Sequence, residues 1–294
     1  MISVSCFGEI LWDVFPSYRR IGGAPLNVAL RMHSLGASVH MISRLGKDKD
    51  GAEILNYLEE QQLSPALIQL DGQYKTGTVD VHLDETRTAT YTINKPAAWD
   101  AIELNSEMKK AVSTSDALIY GSLASRSPRS EETLKALLKE ARFKVFDMNL
   151  RPPHYEMDQL IELMLTADLV KLNDEELYEI ARHINLEGNT ITQKMINLSR
   201  WVSSEVIICV TKGAEGAQLL HKGEMYSNSG YPVQVADTVG AGDSFLATLC
   251  FHLLNQAPPQ HALDQACAMG SLVASKEGAI PIITPDEIKT MIQG

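Results

Sequence analysis

The stretch DTVGAGDSFLATLC, residues 237–250, sets two aspartates and two glycines ahead of a long apolar run. A tight turn needs one glycine. Two of them, at Gly240 and Gly242, leave the backbone free to adopt positive φ with no Cβ in the way, so successive N–H groups can turn toward one anion. Phe245, Leu246, Leu249 and the run from Phe251 to Leu254 read as a largely buried helix, and its dipole adds partial positive charge at the same point. Asp243 then stands beside whatever meets that anion. A carboxylate there can accept a proton from an attacking hydroxyl, while the amides of Gly240, Ala241 and Gly242 stabilise charge on a transferred phosphoryl group. Aspartate is also a favoured N-cap, and the local sequence supports that role equally well.

Outward from this point, short apolar runs alternate with helical patterns. ISVSCFG, SVHMISRLG, DALIYG (116–121), KVFDMN (144–149), DLVKLN (168–173) and EVIICVTKG (205–213) read as strands. PLNVALRMHSLG, GAEILNYLEEQQL and segments 130–142, 157–166, 174–184 and 191–203 read as helices between them. Such alternation predicts an α/β fold, a mostly parallel sheet covered on both faces. Residues 73–93 break the rhythm: TGTVDVHL, the break DET and RTATYTI alternate polar and apolar as an antiparallel hairpin does. With LWDVFPSYRRIGG supplying a further short strand, a small β lid is expected from about 12–20 and 73–99, on a single domain spanning 1–294.

At 294 residues the chain can bury a large core. Its net charge of −11 argues against nucleic acid or anionic membrane as partner, though backbone N–H groups can still bind an anion locally. Cys6, Cys209, Cys250 and Cys267 lie far apart with no C-x-x-C pair, as free thiols in a reducing compartment do. MISVSCFGEILWD has no basic region and carries Glu9 and Asp13, unlike a secretory signal, so a cytoplasmic location is expected. G-x-x-x-x-G-K-[ST] and G-x-G-x-x-G are both absent, and the histidines have no zinc-ligand spacing.

Polar clusters follow several predicted strands, where ligands bind in parallel sheets. Gly22 and Gly23 precede a Pro-initiated helix with Asn27 one turn in, a poor helix former in an apolar segment. FDMNLRP alternates Asp147, Asn149 and Arg151; KLNDEE places Asn173 and Glu176 past a strand end; VTKGAEGA offers Thr211, Gly213 and Gly216. Taken alone, the pair Glu175–Glu176 reads as a solvated helix start.

Together these segments resemble the ribokinase (PfkB) family of sugar and nucleoside kinases, most of all its fructokinases. DTVGAGDSF is similar to the family's C-terminal signature, and IGGAPLNVALRMHSLG with SRLGKDKDG to its N-terminal one; N-x-x-E stands at Asn173 to Glu176. The resemblance implies a ribokinase-like three-layer sandwich with a β lid, and transfer of the ATP γ-phosphoryl group to a sugar primary hydroxyl, fructose to fructose 6-phosphate. Ribokinase, 2-keto-3-deoxygluconate kinase and nucleoside kinase activities stay open beside it, as does a non-catalytic sensor. It implies Asp243 as base and Gly240, Ala241 and Gly242 as anion hole. Asp13, Gly22, Gly23, Asn27, Arg87, Asn94 and Arg151 would contact the sugar, with Arg151 also near the phosphates. Asn149, Asn173, Thr211, Gly213 and Gly216 would line the nucleotide, with Cys267 where relatives often carry an adenine-contacting Asn. Glu176 would hold Mg²⁺ through water, and Asp237 matches a carboxylate of a K⁺ site. The hairpin edges suggest a homodimer formed through the lid.

Overall fold

The computed structural model describes residues 1–83 and 89–294. The first part of the chain forms β1 (Ser3–Phe7), β2 (Leu11–Val14), β3 (Arg19–Gly22), α1 (Ala24–Ser34), β4 (Ser38–Gly46), α2 (Lys49–Glu60) and β5 (Ile68–Asp71). The hairpin strands β6 (Gly77–Leu83) and β7 (Ala89–Ile93) follow, then α3 (Ser106–Thr114), β8 (Ala117–Gly121), α4 (Pro128–Leu138), β9 (Lys144–Asp147) and α5 (Met157–Leu165). The remainder is β10 (Leu169–Asn173), α6 (Asp174–His183), α7 (Ile191–Val202), β11 (Ile207–Thr211), β12 (Ala217–His221), β13 (Glu224–Asn228), α8 (Ala241–Leu254), α9 (Pro259–Ala274) and α10 (Pro285–Gln293).

Nine strands make the main sheet in the order β13-β12-β11-β10-β9-β8-β1-β4-β5. From β11 to β5 every pairing is parallel, and β12–β13 closes the edge as an antiparallel hairpin. Successive strand residues face opposite sides, which divides the core in two. Val4, Cys6, Ile119, Val145, Leu169 and Cys209 pack under α1, α2, α8 and α9. Phe7, Leu118, Phe146, Val170 and Ile208 pack under α3 to α7. All four cysteines are free and buried. Among the described residues no helix is long and apolar enough to cross a membrane.

The sequence pattern misses β5, α3, β12, β13, α9 and α10. β5 is a short edge strand with little alternation. The β12–β13 turn is built on Lys222 and Gly223, both at positive φ, where an Asn-Gly or Asp-Gly pair would have announced a hairpin.

A second sheet, in the order β3-β2-β6-β7, holds the expected hairpin, with Val79 opposite Ile93 and Leu83 opposite Ala89. LWDVFPSYRRIGG contributes two strands to it, β2 and β3. Beneath lies a small core of Leu11, Val79, Ile93, Trp99 and Leu123. Gly77 is required there, since a Cβ would sit 2.5 Å from Trp99 Nε1. Arg126 fastens this floor. Its guanidinium donates to both Asp100 oxygens at 2.7 and 2.8 Å, donates to the Asn94 carbonyl at 2.8 Å and lies 3.8 Å from the Trp99 ring centroid. Removing one partner of so buried a pair strands the other's charge. Asp100→Ala is therefore expected to lose about 3–5 kcal/mol of unfolding free energy in chemical denaturation. An unchanged midpoint would show that the pair does not anchor the small sheet.

Candidate active site

Three parallel strands place the first groups. Alternation puts Asp147 at the end of β9, Lys171 on β10 and Cys209 on β11 on the face under α8, and register sets Lys171 opposite both neighbours. Lys171 and Asp147 are buried, and Lys171 Nζ donates to Asp147 Oδ1 at 2.9 Å. Asp147 Oδ2 is buried with no hydrogen-bond partner among the described residues.

Above this pair α8 begins. Its N-cap is Gly240, at φ 75° and ψ −2°, the left-handed conformation that glycine takes without a Cβ penalty. A Cβ on Gly240 would also strike Ala279. Asp243 is thus not the cap: it sits inside the first turn and makes no capping bond. The N–H groups of Gly242 and Asp243 have no hydrogen-bond partner among the described residues, while Ala241 donates to Thr238 and Ser244 to Gly240. Free amides at a helix start form an anion site. Lys171 Nζ lies 3.5 Å from where a Gly242 Cβ would stand, so an ammonium sits directly beneath the turn.

The N-terminal signature meets this turn through α1. Asn27 and Arg31, four residues apart on one helix face, reach adjacent residues of α8. Asn27 Nδ2 donates to Asp243 Oδ2 at 2.8 Å, and Arg31 Nε donates to Ser244 Oγ at 3.1 Å. Burial pushes Asp243 up to about 6, Asp147 adds to the rise, and the Asn27 amide, Lys171 and Arg151 oppose it. Asp13 is likewise lifted to about 6, by burial against the pull of Arg151 and Arg20. Gly22 leaves room for its carboxylate, since a Cβ there would stand 2.5 Å from Asp13 Oδ2. Gly23, at φ 115°, lets the chain pass the Glu9 carbonyl.

On the other side Asn173 and Glu176 form a capping box on α6, each side chain accepting the other's backbone N–H. Glu176 Oε1 also accepts from the Leu150 N–H at 2.8 Å. Glu176 is buried, so the solvated reading of the acidic pair is wrong for it. Burial raises its pKa and Lys171 counters that rise. Lys171 is itself penalised by burial, but the carboxylates of Asp147, Glu176 and Asp243 outweigh the penalty and keep it charged.

These groups bear on Mg²⁺. Among the described residues no three His, Cys, Asp or Glu side chains form a metal cage. The unpartnered Asp147 Oδ2 and the fixed Glu176 carboxylate suit an ion that keeps several waters and leans on phosphate oxygens.

The remaining expected residues scatter more widely. Arg151 is exposed and donates to its neighbour's carbonyl at Leu150, with its charge acting on Asp243 and Asp13. Asn149 has φ 38°. Thr211 ends β11, and Gly213 and Gly216 follow at positive φ. Gly216 has a packing reason as well, because a Cβ would strike the Asn228 carbonyl. Cys267 is buried in the core, its thiol pushed up to about 12 by burial and by Asp264. The Asn94 amide is held within the small sheet by Thr78 and Asp80. Asp237 Oδ1 accepts from Val239 N–H, and its Oδ2 accepts from Arg20 and Gly278. Arg87 lies outside the described residues.

Sequence reasoning missed Lys171 and Glu9. A lysine inside an otherwise apolar parallel strand was the available signal for the first. Glu9 is buried, its Oε2 has no partner among the described residues, and burial lifts it to about 7.

Known proteins share this fold. A fructokinase from Salmonella typhimurium is 27% identical over 93% of this chain and 93% of its own length. The structure of a Xylella fastidiosa fructokinase with bound ATP superposes with a TM-score of 0.85 at 24% identity, covering 99% of this chain and 98% of that one. A double-mutant Vibrio cholerae fructokinase in a fructose-, ADP- and potassium-bound form gives 0.84 at 24% identity, covering 99% and 98%. The profile of the pfkB family carbohydrate kinases matches residues 13–286, and the chain belongs to that family.

Proposed function

We propose that this chain is an ATP-dependent kinase that phosphorylates the primary hydroxyl of a ketohexose, converting fructose to fructose 6-phosphate. The observation that carries the reading is Asp243, held by Asn27 at 2.8 Å in the first turn of α8, beside two unpartnered backbone N–H groups and above the Lys171 ammonium. A base and an anion site side by side are what phosphoryl transfer to an alcohol needs. The fructokinases among the relatives supply the choice of sugar.

In this reading the sugar hydroxyl gives its proton to Asp243, and Asn27 aims the carboxylate. The α8 amides and Lys171 stabilise charge on the phosphoryl group as it moves. Asp13, in the room left by Gly22, accepts hydrogen bonds from other sugar hydroxyls, and Arg151 meets the phosphates. Asp147 and Glu176 would hold Mg²⁺ through its waters, and the ion would supply neutralisation of phosphate charge. The small sheet acts as a lid that excludes water competing for the phosphoryl group.

The direct test is coupled ADP release over a panel of fructose, ribose, 2-keto-3-deoxygluconate and nucleosides. Fructose is expected to give the highest kcat/KM; a panel in which nothing stimulates ADP release would put the sensor reading ahead. Asp243→Asn is expected to lower kcat more than ~10²-fold while calorimetry still detects sugar binding; near-normal turnover would remove Asp243 from the mechanism. A base must be ionised, so kcat/KM should fall as pH drops through about 6, the value to which burial lifts Asp243. Because Lys171 lowers that value, Lys171→Met should move the acid limb to higher pH, with Lys171→Arg leaving it near the wild-type position. An unmoved limb in Lys171→Met would mean that the lysine is only structural.

A further inference from the structure

Asp237 opens the turn that carries the anion site, and its carboxylate gathers three donors. Val239 N–H donates to Oδ1 at 3.0 Å, Gly278 N–H to Oδ2 at 3.3 Å, and Arg20 Nη1 to Oδ2 at 2.7 Å. The first donor belongs to the turn itself. The second belongs to the loop behind it, where Ala279 packs against Gly240 and Pro281 accepts from Arg31 Nη2 at 2.9 Å. The third comes from β3 of the small sheet, more than two hundred residues away. A charge at Asp237 therefore organises both the Gly240 turn and its backing loop.

A carboxylate in that place needs a counter-charge, because it would otherwise oppose an arriving polyphosphate. The family resemblance assigns the task to K⁺, and the Vibrio cholerae fructokinase structure holds a potassium ion. Here Asp237 Oδ2 is already bonded to a guanidinium. That group is also pre-positioned: its carbon lies 4.9 Å from the Tyr18 ring centroid and 6.0 Å from Phe15, and these two rings stack at 4.4 Å. Arginine stays charged across the working pH range, and a tethered cation needs no recruitment from solution.

We propose that the Arg20 guanidinium is the resident monovalent cation of this kinase, neutralising Asp237 and fixing the Gly240 turn so that phosphoryl transfer proceeds without K⁺. Arg20 acts through Asp237 and is a positioning residue. The inference rests on the kinase reading for its rate measurements but not for its melting measurements. Wild type, Arg20→Gln and Arg20→Lys are compared in KCl and in tetramethylammonium chloride at equal ionic strength.

Wild type and Arg20→Lys should differ less than about twofold in kcat/KM for ATP between the salts. Arg20→Gln should lose about tenfold in tetramethylammonium, the scale of a charge-assisted hydrogen bond, and recover in KCl. In thermal melts without substrate, only Arg20→Gln should gain a K⁺-specific rise in Tm. Wild-type activation by K⁺ beyond twofold overturns the proposal. So does an Arg20→Gln variant that ignores K⁺ in rate and melt, including one that merely raises KM for the sugar. If no sugar is phosphorylated, the kinase reading fails and the melts alone decide the cation question.

Discussion

The ion pair between Lys171 and Asp147 is the constraint on which the cleft is built. Strand register fixes it, since Lys171 on β10 stands opposite Asp147 on β9, both on the face that α8 covers. Three carboxylates converge on this one ammonium: Asp147, Glu176 and Asp243 all act on it to hold its proton. Without it, burial and mutual repulsion would drive Glu176 and Asp243 further toward their neutral forms. A protonated Asp243 cannot accept a proton. One buried lysine thus favours the ionised forms of Asp243 and Glu176 together, and it lies under the turn that opens α8.

The same arrangement explains how a chain of net charge −11 can handle polyphosphate. Steering by the whole molecule is unfavourable, so attraction has to be local and short-ranged. The free amides of a helix start, with Lys171 below them, offer such attraction in this fold. Charges on the rest of the surface act through water and are screened within about 8–10 Å at physiological salt. Net charge therefore bears on partners such as nucleic acid far more than on a small ligand in a cleft.

How much of this was legible follows from which interactions are local. SVHMISRLG reads as β4 and DLVKLN as β10 because a covered parallel strand is mostly apolar, and the β6–β7 hairpin stands out because its alternation changes. Gly240 and Gly242 were readable as a turn ahead of a helix, yet whether Asp243 caps that helix was not. That depends on where the helix begins, which is set by the left-handed Gly240 packing on Ala279. Asn27 looked anomalous in its helix, but its partner is 216 residues away. Glu175 and Glu176 are alike in sequence, and only the turn of α6 makes the second an inward capping-box residue. Arg20 offered no signal, because its meaning is Asp237, brought to it by packing of the two sheets.

The buried acids also set a cost that the fold must carry. For Asp243 the folded value, about 6, lies above the 3.8 of an exposed aspartate, so the folded chain holds that proton more tightly than the unfolded one. The contribution to stability is therefore greatest below the unfolded value, and it is lost as pH rises across the window from 3.8 to about 6. Asp13 has the same sign over a similar window, and Glu9 over one reaching about 7. This is the reverse of the usual salt-bridged carboxylate, which stabilises a protein once it ionises. At neutral pH, above that window, the ionised carboxylates lower stability relative to acid pH, a cost that packing elsewhere offsets. Replacing Asp243 with its neutral isostere relieves that burden while removing the base, so activity and stability should part in opposite directions at this residue. A residue retained only for the turn would show no such opposition.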